Sequence, residues 1–153
     1  MAKLSAELTD RFPDATLTRR IQLPVAAAAL AVNARDPSRA LAVLEPVRAY
    51  DHARGAEFWP AYLRGQAYLM AHKAAEAGRE FDAILAHRGE SAESLLFPLA
   101  HLGSARAATL AGDPERATKA YDAFLALWRD ADTDLRPLQA ARAERASSPK
   151  NPH

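Results

Sequence analysis

The side chains best suited to chemistry in this chain of 153 residues are histidines, serines and carboxylates. The five histidines show neither a His-x3-His nor a His-Glu-x2-His spacing; they are His52, His72, His87, His101 and His153. Protein zinc sites draw on such spacings or on thiolates, and cysteine is absent. We therefore predict no metal site and interpret the histidines as surface or helix-end residues.

Nucleophilic and acid–base groups also lack a catalytic setting. Ser91 and Ser94 precede an apolar run without a Gly-x-Ser-x-Gly motif, so helix capping accounts for them better. Glu76, Glu80 and Asp82 are interpreted as the solvated face of a helix. The six glycines are isolated and form no phosphate-binding loop. The sequence thus predicts a protein that is not an enzyme and has no cofactor.

Charge and hydropathy exclude two further classes of partner. The formal charge of +1 combines 20 basic and 19 acidic residues, which are interspersed, so we predict no nucleic-acid binding. The most apolar run, Leu23 to Val32, spans ten residues and contains Pro24. A bilayer-spanning helix needs about 20 residues, so no direct membrane insertion is predicted. The compartment is not determined by these features.

Turn signals divide the chain into helices, which the abundance of alanine favours. Asp36-Pro37 and Gly112-Asp113-Pro114 each predict a helix start, with aspartate as cap and proline in the first turn. We expect Asp14 to Thr18 to be a connector, a helix over Ile21 to Ala34, and one from Asp36 to about Ala49 that Pro46 shortens or kinks. Gly89 is expected to end a helix in the left-handed conformation.

A spaced pattern then relates three of these segments. Ala40, Ala77 and Ala117 are 37 and 40 residues apart (77 − 40 and 117 − 77), and each has a bulky residue four positions later. These are the lengths of paired-helix repeats, which must stack to bury their apolar faces. The pattern predicts an all-α fold, an α-solenoid of antiparallel helix pairs.

The residues of this pattern resemble the tetratricopeptide repeat. Its small, aromatic, alanine and aromatic positions match in the middle repeat as Gly65, Tyr68, Ala77 and Phe81. The third repeat departs at Ala108, and the first departs at Ala31 and Leu44, where aromatic residues are expected. The resemblance implies one repeat domain over residues 1–146, with repeats at about 21–50, 58–89 and 95–129, a leading half-repeat, a capping helix at about 135–146, and a disordered tail at 147–153.

A narrower resemblance lies in Trp59 to Tyr68, Phe81 to Gly89 and Ala117 to Asp132. These strings are similar to the C-terminal repeat region of bacterial membrane-anchored serine/threonine protein kinases. The kinase motifs themselves do not occur in this chain. The resemblance implies a sensory or docking part of a larger signalling protein.

The repeat family also implies a ligand groove along the first helices of the repeats. Its positions here are Val25, Ala29 and Asn33, then Tyr62, Gln66 and Met70, then Leu102, Arg106 and Leu110. We select Asn33, Tyr62, Gln66, Met70, Leu102 and Arg106 as the binding residues for a protein or peptide segment. A structural spacer or a self-association module remains the alternative function.

Overall fold

A computed structural model describes residues 2–12, 15–91 and 93–147 of the chain. These ranges contain helices and turns but no β-strand, which confirms the all-α prediction. The α-helices within them are Ala2–Arg11 (α1), Leu23–Asn33 (α2), Pro37–Leu44 (α3), Trp59–Met70 (α4), Ala74–Ala86 (α5), Leu96–Ala111 (α6), Pro114–Leu127 (α7) and Arg136–Ser147 (α8). Of the predicted tail, Ser147 ends α8, and residues 148–153 lie outside the described residues.

Turns of one backbone geometry close three helix hairpins, α2–α3, α4–α5 and α6–α7. The turn residues Arg35, His72 and Gly112 have positive φ angles of 57°, 56° and 73°. In each turn the next amide donates to the carbonyl five residues earlier, at 2.9 Å; the pairs are Asp36 to Ala31, Lys73 to Tyr68 and Asp113 to Ala108. This is how a helix ends in the left-handed conformation. The separations between these turns equal those between the three alanines, so the hairpins repeat in backbone geometry.

Capping residues start two of the second helices as the sequence predicts. The Asp36 carboxylate accepts a hydrogen bond from the backbone N–H of Arg39 at 2.9 Å, and Asp113 accepts one from Arg116 at 3.0 Å. Each satisfies an amide that has no partner within its helix. A proline follows each aspartate at the first helical position. The middle hairpin has Lys73 at this place and no side-chain cap.

The repeat alanines lie where helices pack closely. Ala40, Ala77 and Ala117 are buried, as are their partners Leu44, Phe81 and Tyr121. The Phe81 ring lies against two glycines, Gly65 of α4 and Gly103 of α6. A Cβ atom at Gly65 would stand only 2.6 Å from the ring carbon Cζ of Phe81. The sequence predicts the pairing of Gly65 with Phe81, but it does not predict the part played by Gly103.

Helices contact their neighbours in chain order. Helix α4 packs against α2, α3, α5 and α6, helix α6 also packs against α7, and α8 packs against α7. The buried apolar residues accordingly form three clusters, centred on α2–α4, on α4–α6 and on α6–α8. The helices that are expected to line a groove, α4 and α6, are therefore side by side.

Three local predictions need correction. Helix α3 ends at Leu44, and Glu45–Tyr50 continue as a 3-10 helix, so Pro46 shortens the helix as expected. The connector predicted up to Thr18 is wrong at its end, because Thr18–Gln22 form a π-helical turn that runs directly into α2. Gly89 is not a left-handed cap; it lies in the 3-10 turn Arg88–Glu90, and its φ is not positive.

Candidate functional site

Arg106 in α6 is held by a carboxylate from the last helix. Its Nε and Nη2 atoms donate to the two carboxylate oxygens of Glu144 in α8, at 2.9 and 2.8 Å. The Tyr121 hydroxyl of α7 donates to the same carboxylate at 3.0 Å. Two parallel N–H···O bonds between arginine and a carboxylate fix both distance and orientation. One carboxylate therefore joins α8 to α6 and α7.

The same contacts keep Glu144 ionised. Burial by itself opposes its ionisation, but the hydrogen bonds and positive charge of Arg106, with the bond from Tyr121, outweigh it. The pKa of Glu144 is consequently below its ordinary value. Burial opposes the charge of Arg106 as well, and the Glu144 carboxylate more than compensates, so the pKa of Arg106 is raised.

Tyr62 and Gln66 of α4 lie beside this ion pair. Tyr62 forms a side-chain hydrogen bond with Gln66 and is close enough to Arg106 for their charges to interact. Burial raises the pKa of Tyr62, although Arg106 and Gln66 both act to lower it. We call Tyr62, Gln66, Arg106 and Glu144 the Arg106 cluster. Three predicted groove residues thus come together from two adjacent helices, and Glu144 is the member that the sequence did not predict.

An exposed aromatic residue borders the Arg106 cluster. Trp59, at the start of α4, has 43% of its surface exposed, and its ring stands edge-on to Tyr62 with centroids 6.5 Å apart. Tyr62 in turn contacts the buried Phe81 ring at 6.0 Å. Tyr62 is therefore anchored in the core, while the face of Trp59 is accessible to a ligand. Exposed tryptophan is a frequent anchor in protein interfaces.

The other predicted groove residues occupy different environments. Leu102 is only 3% exposed and packs with Tyr121 and Phe124 in the core, so it is not open to a ligand in this structure. Met70 is half-buried at the end of α4, and Asn33 is exposed at the end of α2. The ligand contact expected of Leu102 is thus replaced by a packing role, because the α6–α8 core covers that side of α6.

A buried charge network on the other helices was not predicted. Arg64 of α4 is 1% exposed, and its guanidinium contacts Asp51 at 2.7 and 3.0 Å and Glu80 at 2.8 and 2.9 Å. Arg48 contacts the other oxygen of Glu80 at 3.0 Å. Glu80 is therefore buried and paired, which corrects its assignment to a solvated face. The signal in the sequence is that Arg64 is the only charged residue of α4.

The charge network forms the floor of a cleft of about 280 Å³. Its rim carries two histidines and a carboxylate, namely His52, His87 and Glu90. One ligand atom of each lies within 4.8 Å of those of the others, so these residues could hold a metal ion. The sequence prediction of no metal site overlooked this group, because His52 is separated from the other two by more than one hairpin of chain. We call His52, His87 and Glu90 the histidine cluster.

Comparisons with known proteins assign no family. No family model matches the sequence, and no curated protein or solved structure matches it either. Within the ranges that the structure describes, no helix combines the length and apolar character that crossing a bilayer requires. The function is therefore argued from the two sites themselves.

Proposed function

We propose that this chain is a non-enzymatic repeat module of the tetratricopeptide type, which binds a protein or peptide segment at the Arg106 cluster. The observation that supports the proposal most directly is the meeting of Tyr62, Gln66 and Arg106. The repeat register assigns these three residues to a ligand groove, and they lie together across α4 and α6. The repeated hairpin turns support the α-solenoid arrangement on which that register depends.

The chemistry of the cluster indicates the kind of segment that it binds. Trp59 and Tyr62 offer an aromatic surface to an apolar side chain, and Gln66 offers an amide to a peptide backbone. Arg106 already has the planar bidentate geometry that a carboxylate requires. A segment with one carboxylate beside an apolar residue would pair with Arg106 by taking the place of Glu144. The ligand is therefore a mixed apolar and acidic peptide.

The wider role that we propose is the sensory or docking part of a larger bacterial signalling protein. This rests on the resemblance of three strings in the chain to the repeat region of membrane-anchored serine/threonine kinases. A repeat module of this kind would bring a partner protein to the enzyme that carries it.

Self-association is the alternative function, and exposed apolar residues favour it. Leu95 has 71% of its surface exposed, Leu127 has 49% and Leu30 has 46%. Light scattering on the chain over a hundredfold concentration range separates the two functions. A monomer throughout supports peptide binding, whereas a concentration-dependent dimer supports self-association.

Peptide selection tests binding at the Arg106 cluster. A phage-displayed library of random twelve-residue peptides would be selected on the immobilised chain, and the affinity of the enriched peptides would be measured by fluorescence anisotropy. We expect acidic and apolar residues to be enriched. Because a hydrogen bond to a charged group contributes about 1.5–3 kcal/mol, Arg106→Gln should weaken binding by about 10- to 150-fold.

Two further variants make the result specific. Tyr62→Ala should also weaken binding, whereas Arg39→Ala, an exposed arginine on α3, should leave it unchanged. Circular dichroism would establish that each variant is folded. Peptides that bind the Arg106→Gln and Tyr62→Ala variants as tightly as the original chain would place the binding site elsewhere.

A further inference from the structure

We propose that the histidine cluster is a binding site for a divalent transition-metal ion, with Zn²⁺ as the ion that suits it best. The site is distinct from the proposed peptide site, because none of its three residues belongs to the Arg106 cluster. His52 follows the 3-10 helix Glu45–Tyr50, His87 caps the end of α5, and Glu90 lies in the next 3-10 turn.

The three side chains already contact one another. His52 Nδ1 lies 2.9 and 3.1 Å from the two carboxylate oxygens of Glu90. The rings of His52 and His87 have centroids 4.6 Å apart. Ligand atoms about 2.0–2.1 Å from a tetrahedral zinc ion stand about 3.3 Å from one another. Shifts of a few tenths of an ångström up to about 1.5 Å would therefore seat the ion, and the exposure of these side chains permits them.

A backbone carbonyl prepares His87 for metal binding. His87 Nδ1 lies 2.8 Å from the carbonyl oxygen of Ala83, which can only accept a hydrogen bond. That nitrogen therefore carries the hydrogen, and Nε2 of the neutral ring is left with a lone pair. Metal-binding histidines commonly donate their other ring N–H to a carbonyl or a carboxylate in this way, which fixes both tautomer and orientation.

The charges around the cleft are compatible with a cation. Its lining includes three arginines and four carboxylates; these are Arg48, Arg64 and Arg79, and Asp51, Glu76, Glu80 and Glu90. Arg64 and Arg48 are paired with carboxylates of the network, so their charges are locally balanced. Two imidazole nitrogens and one carboxylate oxygen are a typical zinc ligand set, and a fourth position is left for water.

Metal binding would connect two hairpins. His52 comes from the segment after α3, whereas His87 and Glu90 come from the segment after α5. An ion bound by all three would tie these connecting segments together and stabilise the folded chain in proportion to its occupancy. The site thus gains a structural consequence that can be measured without knowledge of any ligand.

Isothermal titration of the untagged, chelator-treated full chain with ZnCl₂ tests the proposal. We expect one Zn²⁺ per chain, a rise in melting temperature with Zn²⁺, and an absorption band of tetrahedral cobalt when Co²⁺ is used instead. Loss of one ligand should weaken Zn²⁺ binding at least about tenfold in His52→Ala, His87→Ala and Glu90→Gln. Each variant should retain its metal-free melting temperature, because all three side chains are exposed.

The matched control is His72→Asn. His72 is an exposed histidine in the turn of the middle hairpin, and asparagine tolerates its positive φ. This variant should bind Zn²⁺ like the original chain. The proposal is overturned if the original chain binds Zn²⁺ no more tightly than the His87→Ala variant, or if His72→Asn weakens binding as much as the three ligand substitutions.

Discussion

Phe81 shows how one side chain can set the spacing of three helices. It belongs to α5, it is fully buried, and its ring lies against Gly65 of α4 and Gly103 of α6. Any residue with a Cβ atom at either glycine would collide with the ring. The two glycines therefore allow α4 and α6 to approach α5 on both sides of Phe81, and this close approach is what brings Tyr62 next to Arg106.

Substitution of Gly65 by alanine should destabilise the chain. The new Cβ would stand 2.6 Å from a ring that has no room to move, and overpacking of this kind costs about 1–3 kcal/mol. This exceeds or offsets the gain of about 1 kcal/mol that alanine brings to a helix. Urea denaturation followed by circular dichroism would measure a net loss, and Phe81→Leu in the same chain should reduce the cost of the alanine.

Gly78→Ala provides the control within α5. Its added Cβ would meet nothing closer than a side-chain nitrogen of Arg116 at 3.6 Å, which is an ordinary contact. This variant should be as stable as the original chain or slightly more stable. Equal stability of the Gly65→Ala and Gly78→Ala variants would contradict the packing described for Phe81.

Helix α8 illustrates how an element with few apolar residues can still be held in place. Leu138 and Ala141 are its buried residues, and they belong to the same core cluster as Tyr121 and Phe124. The Glu144 carboxylate adds the contacts to Arg106 and Tyr121. The sequence predicts the helix as a terminal cap but not this charged contact, since Glu144 and Arg106 are 38 residues apart.

The contribution of Glu144 to stability should depend on pH. Its folded-state pKa is lowered, so the contribution is fully present above the unfolded-state value of about 4.3 and is lost as the pH falls through the folded-state value. We expect Glu144→Gln to lower the free energy of unfolding by about 1 kcal/mol at pH 7, because the pair is one-third exposed.

The difference between Glu144→Gln and the original chain should shrink at pH 4, as measured by urea denaturation at both values. Glu93→Gln, at an exposed position in the turn before α6, should change stability at neither pH. A difference that is the same at pH 4 as at pH 7 would show that the charge of Glu144 does not stabilise α8.

Local signals and tertiary contacts differ in how far the sequence reveals them. The hairpins are predictable because Asp36, Asp113 and Gly112 act on their own neighbours, and the meeting of Tyr62 with Arg106 follows from the repeat register. The burial of Glu80 and the histidine cluster are not predictable in this way. They depend on how two connecting segments without regular spacing fold against α4 and α5.

The molecule as a whole is built from contacts between neighbours in the chain. The three core clusters follow one another from α2 to α8, and Phe81 belongs to the middle one. Arrays of this kind have stabilities that approximate a sum of hairpin and interface contributions, so a local defect need not spread through the whole molecule.

Hydrogen exchange measured by mass spectrometry would detect this independence. Leu44→Ala, which should cost about 2–5 kcal/mol, is expected to speed amide exchange in α2 and α3 while α6 and α7 keep their protection. Phe124→Ala should do the reverse. Uniformly faster exchange along the chain in either variant would indicate that the hairpins unfold as one unit.

The π-helical turn at Thr18–Gln22 determines what a change in chain length would do at this point. Such a turn holds one residue more than the α-helical turn that it replaces. Deletion of one residue here would restore α-helical hydrogen bonding and rotate the preceding chain by about 100° around the axis of α2. Leu17 would leave its contact with Gly55, and α1 would point in a new direction. The same deletion within α5 would instead separate Phe81 from both of its glycines, so the chain can change length near its beginning at far less cost than in its middle.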